Sequence, residues 1–345
     1  MKRATSNALF LCLIFIFSGC GVFTLSHYAL GGVSPSASCD RTKGNSTFFY
    51  AKSRPKIISK KAFPEETERY LIYDTRLIYE NEKSVGIRYY KSKRPDVRKA
   101  IIVFPVYGKH EYPAEMFASY ASWLNQEADF DVFYIRERPH DDPLDIDLLA
   151  NAKTENDIIP IAMDSVKKFK AAVIEARRII DWLADERGLA MPRIGVVGFS
   201  TSSIAAALAI SIDERISAAA ILFGGGNLHE MVAFGEESRI KTGRKRVLSR
   251  SGKTQKEYAE FLRQFFAEVE PLAYAPCADP SRVLFVDSEF DEFIPKTGRD
   301  GLWQALRTPE RITFRHGHRM SFLSLTPAWL FYLDKRTLEF FREKL

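Results

Sequence analysis

The chain has 345 residues, a formal net charge of +6 and four cysteines. Hydrophobic residues make up 46% and charged residues 27%, which excludes a mostly disordered chain, a collagen and a multi-pass membrane protein. Four cysteines are too few for a disulfide scaffold of this size, so a hydrophobic core must carry the fold.

The N-terminus starts with Lys2 and Arg3, runs through apolar residues 8–17 and ends in the small residues Ser18, Gly19 and Cys20. The run is shorter than the ~20 apolar residues of a spanning helix. Its order of basic, apolar and small regions fits a secretory signal. Phe17, Ser18, Gly19 and Cys20 together resemble a bacterial lipobox. That resemblance implies cleavage before Cys20, lipid on its thiol, and a membrane-anchored, extracytoplasmic protein of the cell envelope or periplasm. A plain signal peptide cut elsewhere, or an uncleaved anchor extended through Val22 to Leu25, are the alternatives. Residues 1–19 are therefore expected as a signal peptide. Residues 20–64, with Gly31, Gly32, Ser34, Pro35 and Ser36 and little periodicity, are expected as a tether. Cys12 leaves with the signal and Cys20 takes lipid. Cys39 and Cys277 then either pair, as an oxidising compartment permits, or stand as unrelated thiols.

Periodicity begins near residue 65. Residues 68–74 and 84–91 read as early strands. Residues 99–104 (KAIIVF) form a continuous apolar run, as a strand buried on both faces requires. Residues 114–126 read as an amphipathic helix and 130–135 as a strand. Over 164–187 the apolar residues Val166, Phe169, Val173, Ala176, Ile180 and Leu183 keep a three-four spacing, which predicts a helix closed by Gly188. Strands are predicted at 193–198, 218–223, 282–287 and 311–314. Helices are predicted at 200–210, 297–306 and 327–341. This alternation defines an α/β class with a mostly parallel sheet covered on both faces. Ligands on such sheets sit beyond the carboxyl ends of the strands.

Gly198, Phe199, Ser200, Thr201 and Ser202 lie where a buried strand turns into a helix. A serine on such a turn is exposed at the sheet edge, and the next backbone N–H sits at a helix N-terminus, able to stabilise an oxyanion. The competing reading is a plain helix N-cap by Ser200. A serine hydroxyl needs a base, and the base needs an orienting acid. Both follow downstream. The loop after the 282–287 strand holds Asp291 and Pro295, with Asp287 and Glu289 as rival acids. Gly317 and His318 follow the last strand, with His316 as the rival base.

The order Ser200, Asp291, His318, together with the Ser200 turn, Pro295 and the Gly317, His318 pair, resembles the α/β-hydrolase family over residues 65–345. The resemblance implies Ser200 as nucleophile, His318 as general base and then acid, and Asp291 as orienting acid. The backbone N–H groups of Thr201 and Tyr107 would form the oxyanion hole. This chain reads G-x-S-x-S where the family has G-x-S-x-G, and Pro105, Val106 where the family often has His-Gly. The resemblance implies a carboxylic ester hydrolase acting on a small acyl ester or lipid, with no metal or organic cofactor. A peptidase or amidase with the same triad, and a non-catalytic binding lipoprotein on this scaffold, are the alternatives.

Residues 224–281 exceed what one crossover helix needs and are expected as a lid. Within it, 239–256 carries eight basic residues and no acid. It reads either as a solvated loop or as a patch steering an anionic lipid or substrate. It lacks the interleaved aromatics of a nucleic-acid site. Asp141, Asp142, Asp145 and Asp147 lack EF-hand spacing and read as a surface loop. Gly224, Gly225 and Gly226 lack the lysine of a phosphate loop and are expected to let backbone approach the pocket.

Overall fold

The computed structural model describes residues 25–28, 39–61, 70–78, 84–92, 94, 97–105, 114–128, 130–136, 142–187, 193–321 and 332–345. Ten strands form one sheet. In chain order they are β1 (Leu25–Tyr28), β2 (Lys56–Lys61), β3 (Tyr70–Ile78), β4 (Val85–Ser92), β5 (Lys99–Val103), β6 (Asp131–Ile135), β7 (Arg193–Phe199), β8 (Ile216–Leu222), β9 (Val283–Ser288) and β10 (Glu310–Phe314). Their spatial order is β1-β10-β9-β8-β7-β5-β6-β4-β3-β2. Strands β5 to β10 run parallel, and β1 to β4 join antiparallel at the two sides.

The helices are α1 (Arg41–Thr47), α2 (Ala114–Ala128), α3 (Ile146–Asn151), α4 (Glu155–Arg187), α5 (Thr201–Ile212), α6 (Leu228–Phe234), α7 (Ser238–Ser251), α8 (Gln255–Phe266), α9 (Lys296–Ala305), α10 (His318–Ser321) and α11 (Tyr332–Lys344). Two cores form because the central strands bury both faces. Ile102, Ile194, Val196, Ile221 and Phe285 pack with α4 and α5 on one face. Ile101, Val103, Val197, Leu222 and Val286 pack with α2 and α11 on the other. Neighbouring residues of one strand thus point into opposite cores, which is why these strands read as unbroken apolar runs. The mostly parallel, two-faced sheet is the expected class.

The edges of the helices differ from the periodic pattern. Helix α4 begins at Glu155 and contains Pro160, so it extends well before the apolar stripe. Asp157 makes that start possible, accepting hydrogen bonds from the N–H groups of Lys153 and Thr154 at 2.9 Å each. The predicted helix over 327–341 is described from Tyr332 onward; its first residues and Gly188 lie outside the described residues.

The segment expected as a tether holds several ordered elements. Cys39 and Cys277 form a disulfide across 238 residues of sequence. Arg41 donates to the Cys277 carbonyl at 3.1 Å and pairs with Glu214. Phe48 is fully buried edge-to-face against Tyr274, with centroids 5.6 Å apart. Tyr50 donates to Asp181 at 2.6 Å. A composition rich in small and polar residues gave no periodic signal for these contacts, because each is made to distant sequence. Cys12 and Cys20 lie outside the described residues.

Residues 224–281 fold as α6, α7, α8 and three short 3₁₀ turns. The basic stretch is a helix, not a loop. Ile240, Gly243, Arg244 and Val247 of α7 form its buried stripe, and Val247 joins Leu149, Val232, Tyr258 and Leu262 in a separate small core. The acidic stretch caps helices: Asp145 accepts from the Leu148 N–H at 2.9 Å, and Asp147 pairs with Arg239 at 3.2 Å. Asp141 lies outside the described residues.

Two stability predictions follow from burial. Replacing both Cys39 and Cys277 by Ser removes a long-loop crosslink and should lower unfolding free energy by about 2–5 kcal/mol, read by denaturant titration. In α11, Asp334 is 2% exposed, and burial raises its pKa from 3.8 to about 8. The folded state then holds a proton that the unfolded state releases, so this group's contribution falls as pH rises from 3.8 to about 8. The slope is at most ~1.4 kcal/mol per pH unit. Asp334→Asn should become progressively more stable than wild type across that window, in paired denaturation curves at pH 5 and pH 8.

Candidate active site

The turn from β7 to α5 is a single residue. Ser200 sits there with φ 51° and ψ −124°. A non-glycine residue in this region costs on the order of 1–3 kcal/mol, so the surroundings must impose it. They do so from both sides. The Ser200 N–H donates to the Leu222 carbonyl at 2.8 Å, pinning the turn to β8. Gly198 lets β7 and α5 approach: a Cβ there would stand 2.4 Å from the Ser202 carbonyl oxygen. Gly224 serves the first turn of α5 in the same way, since its Cβ would meet the Ser203 hydroxyl at 1.6 Å.

Ser202 stands where the related pattern has glycine. Its side chain is fully buried, and its hydroxyl donates to the Phe199 carbonyl at 3.0 Å and accepts from the Phe199 N–H at 2.9 Å. The added side chain therefore ties the turn together instead of obstructing it. Ser200 makes no side-chain cap to α5. Its hydroxyl lies 2.8 Å from His318 Nε2. The plain N-cap reading does not describe this serine.

His318 begins α10, just beyond β10. Its Nδ1 lies 2.6 Å from Asp291 Oδ2, and both side chains are shielded from solvent. The other Asp291 oxygen accepts from the N–H groups of Phe293 at 2.9 Å and Ile294 at 2.8 Å. Those bonds fix the carboxylate in its loop. The Phe293 ring packs 4.9 Å from the imidazole. Ser200, His318 and Asp291 are thus brought from three separate strand ends into one line.

The rival residues lie elsewhere. Asp287 is 1% exposed and pairs with Arg311 at 2.5 Å and Arg299 at 3.5 Å, accepting also from Thr313 at 2.7 Å. Glu289 pairs with Arg315 at 2.9 Å on the surface. His316 is stacked on Phe314 at 5.1 Å, and its Nδ1 lies 3.2 Å from the Ser321 hydroxyl. Burial pushes the His316 pKa down, so it is neutral near pH 7.

Thr201 is the first residue of α5. The first N–H groups of a helix have no intrahelical acceptor, so its N–H is free to face an anion beside Ser200. Tyr107, the other expected donor, lies outside the described residues. Among the described residues, no group of three or more His, Cys, Asp or Glu has an arrangement that would hold a metal ion.

Sequence reading missed two positioning residues. Glu292 accepts from the His318 backbone N–H at 2.8 Å. Its own carbonyl accepts from the N–H groups of Glu236 and Glu237, at 2.7 and 2.8 Å. Glu237 then pairs with Arg319 at 3.3 Å and Arg239 at 3.0 Å. Burial pushes the Glu237 carboxyl up, but its bonds to Ile240 and Arg239 outweigh that and hold it below the ordinary range. The segment leading into α7 therefore clamps both the Asp291 loop and the His318 turn. No local pattern marks such a clamp, because its members come from three distant stretches.

No model of a known protein family matches the sequence, and no curated protein matches it. Solved structures do. An acetyl xylan esterase from a Thermoanaerobacterium species has 13% identity and a TM-score of 0.60, over 92% of this chain and 96% of that one. An acetyl xylan esterase from a Paenibacillus species has 12% identity and a TM-score of 0.58, over 91% and 98%. An acylaminoacyl peptidase from Pyrococcus horikoshii has 16% identity and a TM-score of 0.54, over 81% of this chain and 42% of that one. At these identities the likeness concerns the fold. The chain has the α/β-hydrolase fold.

The contrast between the two aspartates is testable. Asp287→Asn leaves Arg299 and Arg311 short of a buried partner and should cost ~3–5 kcal/mol in denaturant unfolding.

Proposed function

We propose that the protein is a serine hydrolase that cleaves carboxylic esters through an acyl-enzyme at Ser200. The observation that carries this reading is the line from the Ser200 hydroxyl through His318 to Asp291, at 2.8 and 2.6 Å. His318 Nε2 takes the Ser200 proton as Oγ attacks the ester carbonyl. Asp291 keeps Nδ1 protonated and stabilises the imidazolium without taking its proton. The tetrahedral oxyanion is met by the Thr201 N–H and by a backbone N–H near Tyr107. His318 then gives its proton to the leaving alcohol. Water, deprotonated by His318, attacks the acyl-enzyme, and Ser200 recovers its proton as the acid leaves. The scheme needs no metal or organic cofactor.

Esterases among the solved structures of like fold support an ester as substrate. The strained turn adds support, because a serine is held off its relaxed conformation with its hydroxyl on a base. The chain is further proposed to be an extracytoplasmic lipoprotein, processed before Cys20 and held to the membrane by lipid on that thiol. The Cys39–Cys277 disulfide supports the oxidising compartment that this requires. Residues 65–345 make up the bulk of one catalytic unit, which also takes in β1, β2 and the segment holding Cys39 and Phe48.

A fluorophosphonate probe should label the wild-type protein and fail to label Ser200→Ala. Asp291→Asn should lower kcat on a short p-nitrophenyl ester by on the order of 10⁴, through loss of the correct tautomer. A folded wild-type protein that takes no label overturns the reading.

A further inference from the structure

Strand β1 has a polarity that bears on where the site faces. It runs antiparallel to β10, with Leu25 opposite Phe314 and Tyr28 opposite Arg311. Phe314 is the last residue of β10, shortly before His318. Leu25 therefore lies at the sheet edge that carries Ser200. Cys20 is five residues upstream. Fully extended, five residues span no more than about 18 Å. A domain of this size is ~50 Å across, so the leash cannot reach round to the opposite edge.

The opposite edge is occupied by the chain itself. Cys39 and Cys277 are joined there, with Arg41 on the Cys277 carbonyl. The Ser200 edge instead presents features that suit a lipid surface. Phe290 is 58% exposed in the Asp291 loop, where its N–H donates to the His316 carbonyl at 3.2 Å. Helix α7 starts at the His318 turn through the Glu237 to Arg319 pair. On it, Lys245, Arg246 and Arg250 are exposed. None of the three forms an ion pair among the described residues. Near an anionic leaflet each such cation contributes about 1 kcal/mol of attraction.

We propose that the protein lies on its membrane with the Ser200 edge against the bilayer, Phe290 and the α7 cations facing anionic headgroups. The proposal rests on the lipid-anchored reading of Cys20. The short leash selects the face, and exposed Phe290 in the Asp291 loop lies on it.

The experiment uses the full lipidated chain, with its native disulfide oxidised, on vesicles of phosphatidylcholine and phosphatidylglycerol. One added cysteine is placed in turn by Phe290→Cys, Ser238→Cys or Arg282→Cys and labelled with an environment-sensitive fluorophore. Arg282 precedes β9 at the far edge. Labels at 290 and 238 should shift to shorter wavelength and be quenched by a nitroxide-bearing lipid, whereas a label at 282 keeps its emission in water. Two positions on the Ser200 edge guard against one variant failing to fold, which circular dichroism shows. A shift at 282, or none at a folded 290 or 238 variant, overturns the proposal. Mass spectrometry of the mature N-terminus separates the causes. A chain without lipid on Cys20 removes the leash and the proposal with it, whereas a lipidated chain with the wrong edge buried overturns the orientation alone. Loss of ester hydrolysis would leave either result unchanged.

Discussion

The single-residue turn at Ser200 is the constraint on which the site depends. A strand and a helix can be joined so tightly only if their backbones nearly touch. Gly198 supplies that approach on the strand side, and Gly224 supplies it from the neighbouring strand end. The turn forces φ positive at a residue that has a Cβ. What holds it there is a set of buried bonds: the Ser200 N–H to Leu222, and the Ser202 hydroxyl to both backbone groups of Phe199. Behind these stand two cores that clamp β7 from both faces. The strain is local, but the packing that resists its release extends over the whole sheet.

The same sheet delivers the partners of Ser200. Parallel strands end on one edge, so the loops after β7, β9 and β10 are neighbours although far apart in sequence. Asp291 and His318 each use that geometry, and each takes part in a hydrogen bond to or from backbone N–H that fixes its loop. Glu292 and Glu237 extend the support to α7. The inserted helices thus brace the His318 turn, and the insertion cannot be treated as an appendage that merely covers a pocket.

The N-terminal segment has an analogous double character. It reads as a linker by composition, yet it contributes an edge strand, a disulfide and the fully buried Phe48. Local composition reports whether a stretch can bury its own periodic face. It does not report whether single residues such as Phe48 or Cys39 find partners more than two hundred residues away. Glu292 was illegible for the same reason, as was the helical form of the basic run, whose buried stripe of Ile240, Gly243, Arg244 and Val247 is sparse and includes a glycine and an arginine.

The sequence by itself determined the class of fold, because strands buried on both faces must be unbroken apolar runs and their crossovers must be amphipathic. It also marked Ser200 as a candidate nucleophile, with a plain helix N-cap as the competing use of the same turn. The resemblance already favoured Asp291 over Asp287 and Glu289, and His318 over His316; the physical reason for that choice belongs to the tertiary structure. These residues share a type and a neighbourhood in sequence. They differ in which way their loops turn: toward Arg299 and Arg311, toward solvent, or toward the Ser200 hydroxyl. That direction is set by packing across the sheet edge, which no local pattern encodes.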